Sequence, residues 1–186
     1  MVRIVIFACL SAALAYVSRA SLRAPRSHGF YRFFAWECIL GLVFLNFIDF
    51  RHWFGDPFSV RQIASWFLLF GCIVPAVHGA HVLRTRGKPD ARRPHDAPLV
   101  WIETTTQLVT TGAFKYIRHP LYCSLLLLAW GVFLKRPHWF GGVVVLGATA
   151  FLLATAKVEE AENVRYFGAA YRAYMRRTRM FIPFVL

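Results

Sequence analysis

Long apolar runs are the feature of this sequence that most limits its fold. Five mainly apolar segments approach the roughly 20 residues that an α-helix needs to cross a bilayer, although the fourth is short. Inside lipid, only helices and closed barrels satisfy their backbone hydrogen bonds, and runs of this length favour helices. We therefore predict an all-α, polytopic integral membrane protein with about five transmembrane helices, near residues 4–17, 30–50, 63–83, 121–134 and 139–156.

The composition supports a membrane protein over a soluble one. Of the 186 residues, 58% are hydrophobic, and the formal charge is +13. The basic residues lie between the apolar runs, without zinc-finger spacing, a basic zipper or an aromatic RNA-binding motif, so we expect the bilayer and not nucleic acid as partner. The cysteines fall in separate runs with no C-x-x-C pair, and we predict buried thiols and no metal site.

The distribution of basic residues predicts the orientation in the membrane. Alternate connections carry seventeen and five Lys and Arg residues, respectively. The positive-inside rule then places the N-terminus outside and the C-terminus in the cytosol. The first run could be a signal peptide, but no small-x-small cleavage site clearly precedes the charged stretch after it, so we interpret it as a span.

A charged pair and a proline stand at the start of the fourth run, in the stretch Arg118, His119, Pro120. The residue before a proline is disfavoured in the helical region, whereas proline is favoured at the first helical position. We therefore predict that His119 lies outside the helix and that Pro120 begins it. The helix N-terminus would then offer a carboxylate or phosphate the free backbone N–H groups of Leu121, Tyr122 and Cys123. The alternative is a plain interfacial anchor.

Acidic residues follow the fifth run on the same side of the membrane. Glu159 and Glu160 emerge there because the run is long enough to return the chain to the cytosolic surface. Carboxylates at that depth are expensive unless they are paired or bind a ligand. The alternative is that Glu159, Glu160 and Glu162 simply pair at the interface with Lys157 and Arg165.

The segment after these carboxylates has the pattern of a basic amphipathic helix. Phe167, Ala170, Tyr171 and Tyr174 share one face, and the opposite face carries Arg165, Arg172, Arg176 and Arg179. Such a helix can lie on an anionic membrane surface. It can also close over a site between the fourth and fifth helices, and the pattern fits both.

The two motifs together, "QLVTTGAFKYIRHPLY" and "EEAENVRYFGAAYRAY", resemble the isoprenylcysteine carboxyl methyltransferase family, which is related to the phospholipid N-methyltransferases. The resemblance covers about 80 C-terminal residues. It divides the chain into three spans (1–83), a cytosolic connector (84–118) and a methyltransferase-like core (119–186). It also implies an S-adenosylmethionine site formed by Gln107, Leu108, Val109, Phe114, His119, Pro120, Leu121, Tyr122 and Glu159. Where the prenylcysteine enzymes carry a substrate-linked Arg, this chain has Thr155.

Methyl transfer from a sulfonium mainly requires alignment of the nucleophile, the methyl group and the sulfur. A carboxylate acceptor needs no base, whereas an amine, phenol or thiol would profit from one, and the nearest candidates for catalysis are Glu160 and His119. We expect a lipophilic acceptor to enter laterally from the bilayer. The sequence leaves the acceptor atom and the oligomeric state open.

Two other functions remain compatible with the sequence. One is a membrane reductase of the sterol-reductase type that uses a nicotinamide nucleotide, because such reductases look similar over the same C-terminal helices, although this chain is short for their longer helical set. The other is a non-catalytic membrane scaffold. Two carboxylates in the second run, Glu37 and Asp49, are further candidates for function because charged groups within a span are rare.

Overall fold

The computed structural model describes residues 1–48, 50–90 and 104–182, without the side chain of His52. Within these ranges the chain forms eight α-helices, two short 3-10 helices and isolated β-bridges, which confirms the predicted all-α class. The helices are α1 (Val2–Val17), α2 (Arg19–Leu22), α3 (His28–Ile48), α4 (Val60–Gly71), α5 (Ile73–Arg86), α6 (Pro120–Lys135), α7 (Trp139–Phe167) and α8 (Ala169–Arg177).

Three helical stretches of the described chain are long and apolar enough to cross a membrane. They are α3, the combined α4 and α5 (Val60–Arg86), and α7. Two shorter apolar helices, α1 and α6, have 16 residues each. At 1.5 Å per residue, 16 residues extend about 24 Å, less than the roughly 30 Å of a typical hydrocarbon core. Each of the five predicted runs therefore falls on a helix, and the fourth is short as expected.

The third run is interrupted near a proline. Helix α4 ends at Gly71 and α5 begins at Ile73, with Pro75 in its first turn. Proline has no N–H to donate to the carbonyl of the residue four positions earlier, which is Gly71. The continuous hydrogen-bond ladder is therefore broken here, and the two helices together form one apolar stretch.

The core of the bundle is the pairing of α3 with α7, the most extensive helix contact of the described structure. Fully buried small residues allow close approach, with Ala35 on α3 and Ala148 on α7. Leu42 and Leu152 fill the space between these helices and α6. Helix α6 packs in turn against α4 and α5, and α1 packs chiefly against α3. The start of α3, the start of α6 and the end of α7 meet at one end of the bundle, which we call the site end.

A buried lysine links two helices at the end of the bundle opposite the site end. Lys135, the last residue of α6, is fully buried, and its ammonium donates to the Gln62 amide oxygen on α4 at 2.8 Å. The Lys135 Nζ also lies 3.4 Å from the centre of the Trp66 ring. A buried ammonium without partners is strongly destabilising, and here an amide dipole and an aromatic face supply them. Helices α4 and α6 are thereby tied together.

We expect Gln62→Leu to destabilise the protein more than Lys135→Met. The first change leaves the ammonium buried without its amide acceptor, a penalty of about 1–3 kcal/mol. The second removes the charge and leaves only the neutral amide oxygen of Gln62 without this donor, which costs less than an uncompensated buried charge. Thermal unfolding of the two purified variants in the same detergent measures the difference. Equal melting temperatures would mean that the ammonium does not depend on Gln62.

Candidate active site

A cavity opens at the site end between α6, α7, α8 and the segment that precedes α6. It encloses about 700 Å³ of empty space, including its open mouth, which is within the usual range for small-molecule sites. Every residue to which the sequence assigned cofactor contact lines this one cavity. They are Gln107, Leu108, Val109, Phe114, His119, Pro120, Leu121, Tyr122 and Glu159.

Helix α8 forms one wall of the cavity. Phe167, Tyr171 and Tyr174 line it, whereas Arg172 and Arg176 on the other face are exposed. The amphipathic helix therefore closes over the site. This is one of the two roles predicted for it, the other being to lie on the membrane surface. Ala170 is exposed and lies outside the apolar face on which the sequence placed it.

The fourth predicted helix begins as expected. His119 is the N-cap with extended φ (−124°), and Pro120 is the first helical residue. The prediction of three free N–H groups was wrong for Cys123, whose N–H donates to the His119 carbonyl at 2.9 Å and makes the first helical hydrogen bond. The N–H groups of Leu121 and Tyr122 make no hydrogen bond within the described chain and belong to residues that line the cavity. They are available to an anionic ligand.

The segment 104–111 is held against the end of α5. The carbonyl of Gly87 accepts hydrogen bonds from the backbone N–H groups of Thr106 and Gln107, at 3.0 and 3.1 Å. Gly87 leaves space for this contact because it has no side chain. A Cβ at this position would lie only 2.5 Å from the Thr105 side chain. This anchoring fixes Gln107 at the cavity. The preceding part of the predicted connector, residues 91–103, lies outside the described residues.

A left-handed glycine turns the chain from this segment into the aromatic wall. Gly112 has φ +63° and lies directly against His78 and Val82 of α5. Two residues later Phe114 is buried, and its carbonyl accepts a hydrogen bond from the Tyr174 hydroxyl at 2.7 Å. The turn therefore positions Phe114 between α5 and α8.

Gly112→Ala is expected to destabilise the protein by about 1–2 kcal/mol because a Cβ is disfavoured at this φ. The new Cβ would also lie 2.4 Å from the His78 ring, so the imidazole must swing outwards. The comparison variant is Gly168→Ala, which has open space around its Cβ position but combines φ +62° with ψ −131°, a conformation that Ala adopts with difficulty. Thermal unfolding measures the loss of stability of both variants. An unchanged melting temperature for Gly112→Ala would contradict this account.

Glu160 holds the site together. Its Oε1 accepts hydrogen bonds from Arg118 Nε at 2.5 Å and from His119 Nε2 at 3.2 Å. Arg118 also donates to the carbonyl of Thr178, beyond the end of α8. This network joins the start of α6, the end of α7 and the chain after α8. Glu160 therefore pairs across helices, not with Lys157 or Arg165, and it is absent from the cavity wall.

Glu159, one residue earlier, is placed differently. It lines the cavity, and its Oε2 is buried without a hydrogen bond in the part of the chain that the structure describes. The nearest cationic candidate is His119, whose Nδ1 lies 3.7 Å away. A buried acceptor that lacks a partner costs about 1–3 kcal/mol, which a ligand with a donor or positive charge would offset. This oxygen is the clearest ligand contact point in the cavity.

Residues 98–170 match the family model described as phospholipid methyltransferase. This stretch contains the first sequence motif, most of the second, all of α6 and α7, and the first residues of α8. The resemblance to integral membrane methyltransferases is therefore confirmed for the part of the chain that carries the cavity.

Curated relatives resemble the same part of the chain. Methanethiol S-methyltransferase 2 of Bradyrhizobium diazoefficiens is 35% identical over 72 residues, which cover 38% of this chain and 26% of the relative. Methanethiol S-methyltransferase of Pseudomonas deceptionensis is 32% identical with the same coverage. That of Crocosphaera subtropica is 30% identical over 84 residues, which cover 44% of this chain and 31% of the relative. The match thus spans about a quarter to a third of the relatives' length. No solved structure matches the chain.

The two tyrosines that α8 contributes to the cavity keep their protons. Burial raises the pKa of Tyr171 well above its ordinary value, and the charges of Glu159 and Glu160 raise it further. Burial likewise raises the pKa of Tyr174, which Arg118 partly opposes. Both hydroxyls therefore act as hydrogen-bond donors at neutral pH, and neither is a base.

A second polar cluster, which was not predicted from the sequence, lies beside the cavity. His28 at the start of α3 is fully buried and is held by Glu162 of α7, which accepts from its backbone N–H at 3.1 Å and contacts its Nδ1 at 2.5 Å. Arg32, one turn further along α3, is also buried. The available signal was the spacing of two basic residues, four apart, at the start of an apolar run.

Of the two carboxylates of the second run that were candidates for function, the structure describes only one. Glu37 accepts a hydrogen bond from the Ser11 hydroxyl at 2.8 Å and so links α3 to α1, away from the cavity. Asp49 lies outside the described residues.

Proposed function

We propose that this protein is an integral membrane methyltransferase that uses S-adenosylmethionine and acts on a lipophilic acceptor. The observation that carries the proposal is the cavity at the site end. It collects residues from two motifs about 40 positions apart in the chain. Within the described chain, it presents a Glu159 oxygen that makes no hydrogen bond and two backbone N–H groups that also make none. A ligand with an amino-acid group carries an ammonium and a carboxylate. The carboxylate oxygen of the site suits the first, and the backbone N–H groups suit the second.

The residues of the cavity fit the parts of the cofactor. The free N–H groups of Leu121 and Tyr122, at the positive end of the α6 dipole, suit its α-carboxylate. Glu159 suits the ammonium or the ribose hydroxyls. The faces of Phe114 and Tyr122 suit the adenine or the sulfonium. The bound cofactor supplies a methyl group that its sulfonium makes electrophilic.

The protein's own contribution is alignment and exclusion of water. Phe167 at the end of α7 and the α8 side chains Tyr171 and Tyr174 cover the cavity, and the Arg118–Glu160 pair holds this cover in place. Of the two predicted catalytic residues, His119 faces the cavity and Glu160 orients it. We therefore propose His119 as the proton acceptor for an amine, phenol or thiol, and Glu160 as its positioning residue. A carboxylate acceptor needs neither.

The membrane orientation belongs to the same proposal. The site end receives the connections that carry seventeen of the 22 Lys and Arg residues, so the positive-inside rule places it in the cytosol. The water-soluble cofactor then enters from the cytosol and the acceptor from the bilayer. The names of the relatives add one acceptor class, since all three act on a thiol.

The test is calorimetric titration of the detergent-purified protein with S-adenosylmethionine, S-adenosylhomocysteine and a reduced nicotinamide nucleotide. We expect saturable binding of the first two with a stoichiometry of about one, and no binding of the third. A folded protein that binds neither sulfur compound refutes the proposal. Binding of the nicotinamide nucleotide alone would favour the reductase alternative.

A further inference from the structure

We propose that the end of the bundle opposite the site end binds one anionic phospholipid. Its phosphate lies between Arg3 and Arg51, and one of its acyl chains lies in a groove between α1 and α3. This site shares no lining residue with the cavity at the site end. The inference rests on the membrane helices and does not depend on the proposed methyl transfer.

Two guanidinium groups line one pocket at this end, which we call the head pocket. Arg3 belongs to α1, and Arg51 belongs to the short 3-10 helix Phe50–Trp53 that follows α3. The pocket encloses about 900 Å³ of empty space, including its open side. Its remaining lining residues are Ile48, Phe50, Phe54 and Gly55. Since none of them carries a negative charge, the head pocket attracts anions.

Arg3 is fixed at the head pocket by the end of α3. Its Nη1 donates to the carbonyl of Ile48, the last residue of α3, at 2.7 Å. A guanidinium has five N–H donors in a planar fork, so further donors remain for a phosphate. Arg51 is exposed and makes no hydrogen bond or ion pair within the described chain. Two such groups suit a phosphodiester, whose oxygens accept short, charge-assisted hydrogen bonds.

The protein itself uses other basic residues at this end. The connections on this side carry only five of the 22 Lys and Arg residues. Of these five, Lys135 and Arg61 donate to groups of neighbouring helices. Two of the remaining three, Arg3 and Arg51, meet at a single pocket. A basic pair on the side that is poor in basic residues is not explained by the positive-inside rule, and a bound anion explains it.

A groove lined by apolar side chains continues from the head pocket. Arg3 and Phe50 line both, and the groove encloses about 1030 Å³ of empty space, including its open side. It follows α1 from Arg3 to Leu10, which is about 10 Å at 1.5 Å per residue. The apolar residues that line it are Ile6, Phe7 and Leu10 on one side and Leu40, Val43, Phe44 and Phe47 on the other. A phosphate in the head pocket therefore places an acyl chain at the start of the groove.

A chain in this groove would complete the packing of α1. No residue of α1 is buried, and its contact with α3 includes the Phe7 and Phe44 rings, whose centres lie 4.6 Å apart. Inside a bilayer, helices associate mainly through van der Waals packing. A lipid that touches both helices adds such contacts on both sides of the groove. We therefore expect the bound lipid to hold α1 against α3.

The charge of the head pocket favours an anionic over a zwitterionic head group. In phosphatidylcholine and phosphatidylethanolamine a cation follows the phosphate and would approach Arg3 and Arg51. No carboxylate of the described chain lines the head pocket to receive that cation. Phosphatidylglycerol carries a neutral glycerol at the same place, so its phosphate can meet both guanidinium groups without this repulsion.

Native mass spectrometry of the delipidated protein tests the head pocket. It measures the Kd of one bound lipid, here phosphatidylglycerol or phosphatidylcholine with the same sixteen-carbon chains. We expect the wild type to bind phosphatidylglycerol roughly twentyfold more tightly, since each basic residue near a membrane surface contributes about a factor of five. Arg3→Gln and Arg51→Gln should each reduce this preference to about fivefold, and the double variant should remove it.

A charge control and a folding control accompany these variants. Arg136→Gln removes a positive charge from the same end, outside the head pocket, and should leave the preference unchanged. The melting temperature without lipid shows whether each variant is folded. If Arg3→Gln unfolds because it loses the Ile48 contact, Arg51→Gln still tests the head pocket, since Arg51 holds no other group of the described chain.

Two tryptophan variants test the groove. Leu10→Trp should fill it and lower the affinity for sixteen-carbon phosphatidylglycerol about tenfold or more. Ile4→Trp adds the same ring to an exposed α1 residue that does not line the groove, and it should change nothing. Glycerol 3-phosphate has no acyl chain and should not bind measurably, which distinguishes a lipid from a soluble phosphate.

Four results would each overturn the inference. Equal affinities of the wild type for the two lipids would mean that the groove contacts only bulk lipid. A preference that survives in the double variant would mean a general attraction to the basic protein. An unchanged affinity in Leu10→Trp would place the acyl chain elsewhere. Glycerol 3-phosphate that binds as tightly as the lipid would make the head pocket a site for a soluble phosphate.

Discussion

Replacing Glu159 with glutamine is expected to weaken S-adenosylmethionine binding about a hundredfold. The substitution keeps the size of the side chain but removes the negative charge from the buried oxygen that faces the cavity without a hydrogen-bond partner in the described chain. Loss of one partner of a buried charge pair commonly costs about 2–5 kcal/mol, and a hundredfold loss corresponds to ~2.7 kcal/mol. Calorimetry on the purified variant measures the change in Kd directly.

The matched control for this prediction is Glu162→Gln. Glu162 lies one helical turn further along the same helix but is bonded to His28 and does not line the cavity. We expect it to lower thermal stability and to leave cofactor affinity within about threefold of the wild type. If both variants bind the cofactor equally well, Glu159 is not the ammonium contact. If both lose binding equally, the effect comes from the end of α7 as a whole.

Arg118→Met is expected to cause the largest loss of stability, about 3–5 kcal/mol. The change leaves the Glu160 carboxylate buried with only His119 as partner, and removal of one member of a buried ion pair has a cost of this size. It also releases the Thr178 carbonyl, which Arg118 holds beyond the end of α8. The measurement is thermal unfolding in detergent. Exposure of α8 to limited proteolysis is expected to increase in parallel.

A double variant separates the charge effect from lost packing. Arg118→Met combined with Glu160→Gln contains no uncompensated carboxylate, so it should recover part of the stability that the single change loses. Arg172→Met, on the exposed face of α8, should have almost no effect. A single variant as stable as the wild type would show that the pair does not hold the site together.

Much of the fold followed from local sequence rules. The helices coincide with the apolar runs because a chain of this hydrophobicity can satisfy its backbone in lipid only by internal hydrogen bonds. The start of α6 at Pro120 followed from the backbone geometry of proline and of the residue before it. The grouping of the two motifs followed because a helix of known rise returns the chain to the side from which it started.

The different roles of Glu159 and Glu160 could not be predicted in this way. Neighbouring residues on a helix point about 100° apart, so one carboxylate faces the cavity and the other faces Arg118. Which one does so depends on the rotation of α7 about its axis, and the packing of α3 and α6 against it sets that rotation. A sequence shows the spacing of the two residues but not this rotation.

The sequence by itself determined the class of protein, the helices and the residues that gather at one end. The tertiary structure alone decided the contacts between distant helices. Glu162 meets His28 across 134 positions of sequence, and Lys135 meets Gln62 across 73. The physical reason is that hydrophobicity and backbone propensity act over a few residues, whereas partners for buried charges are chosen by how whole helices pack.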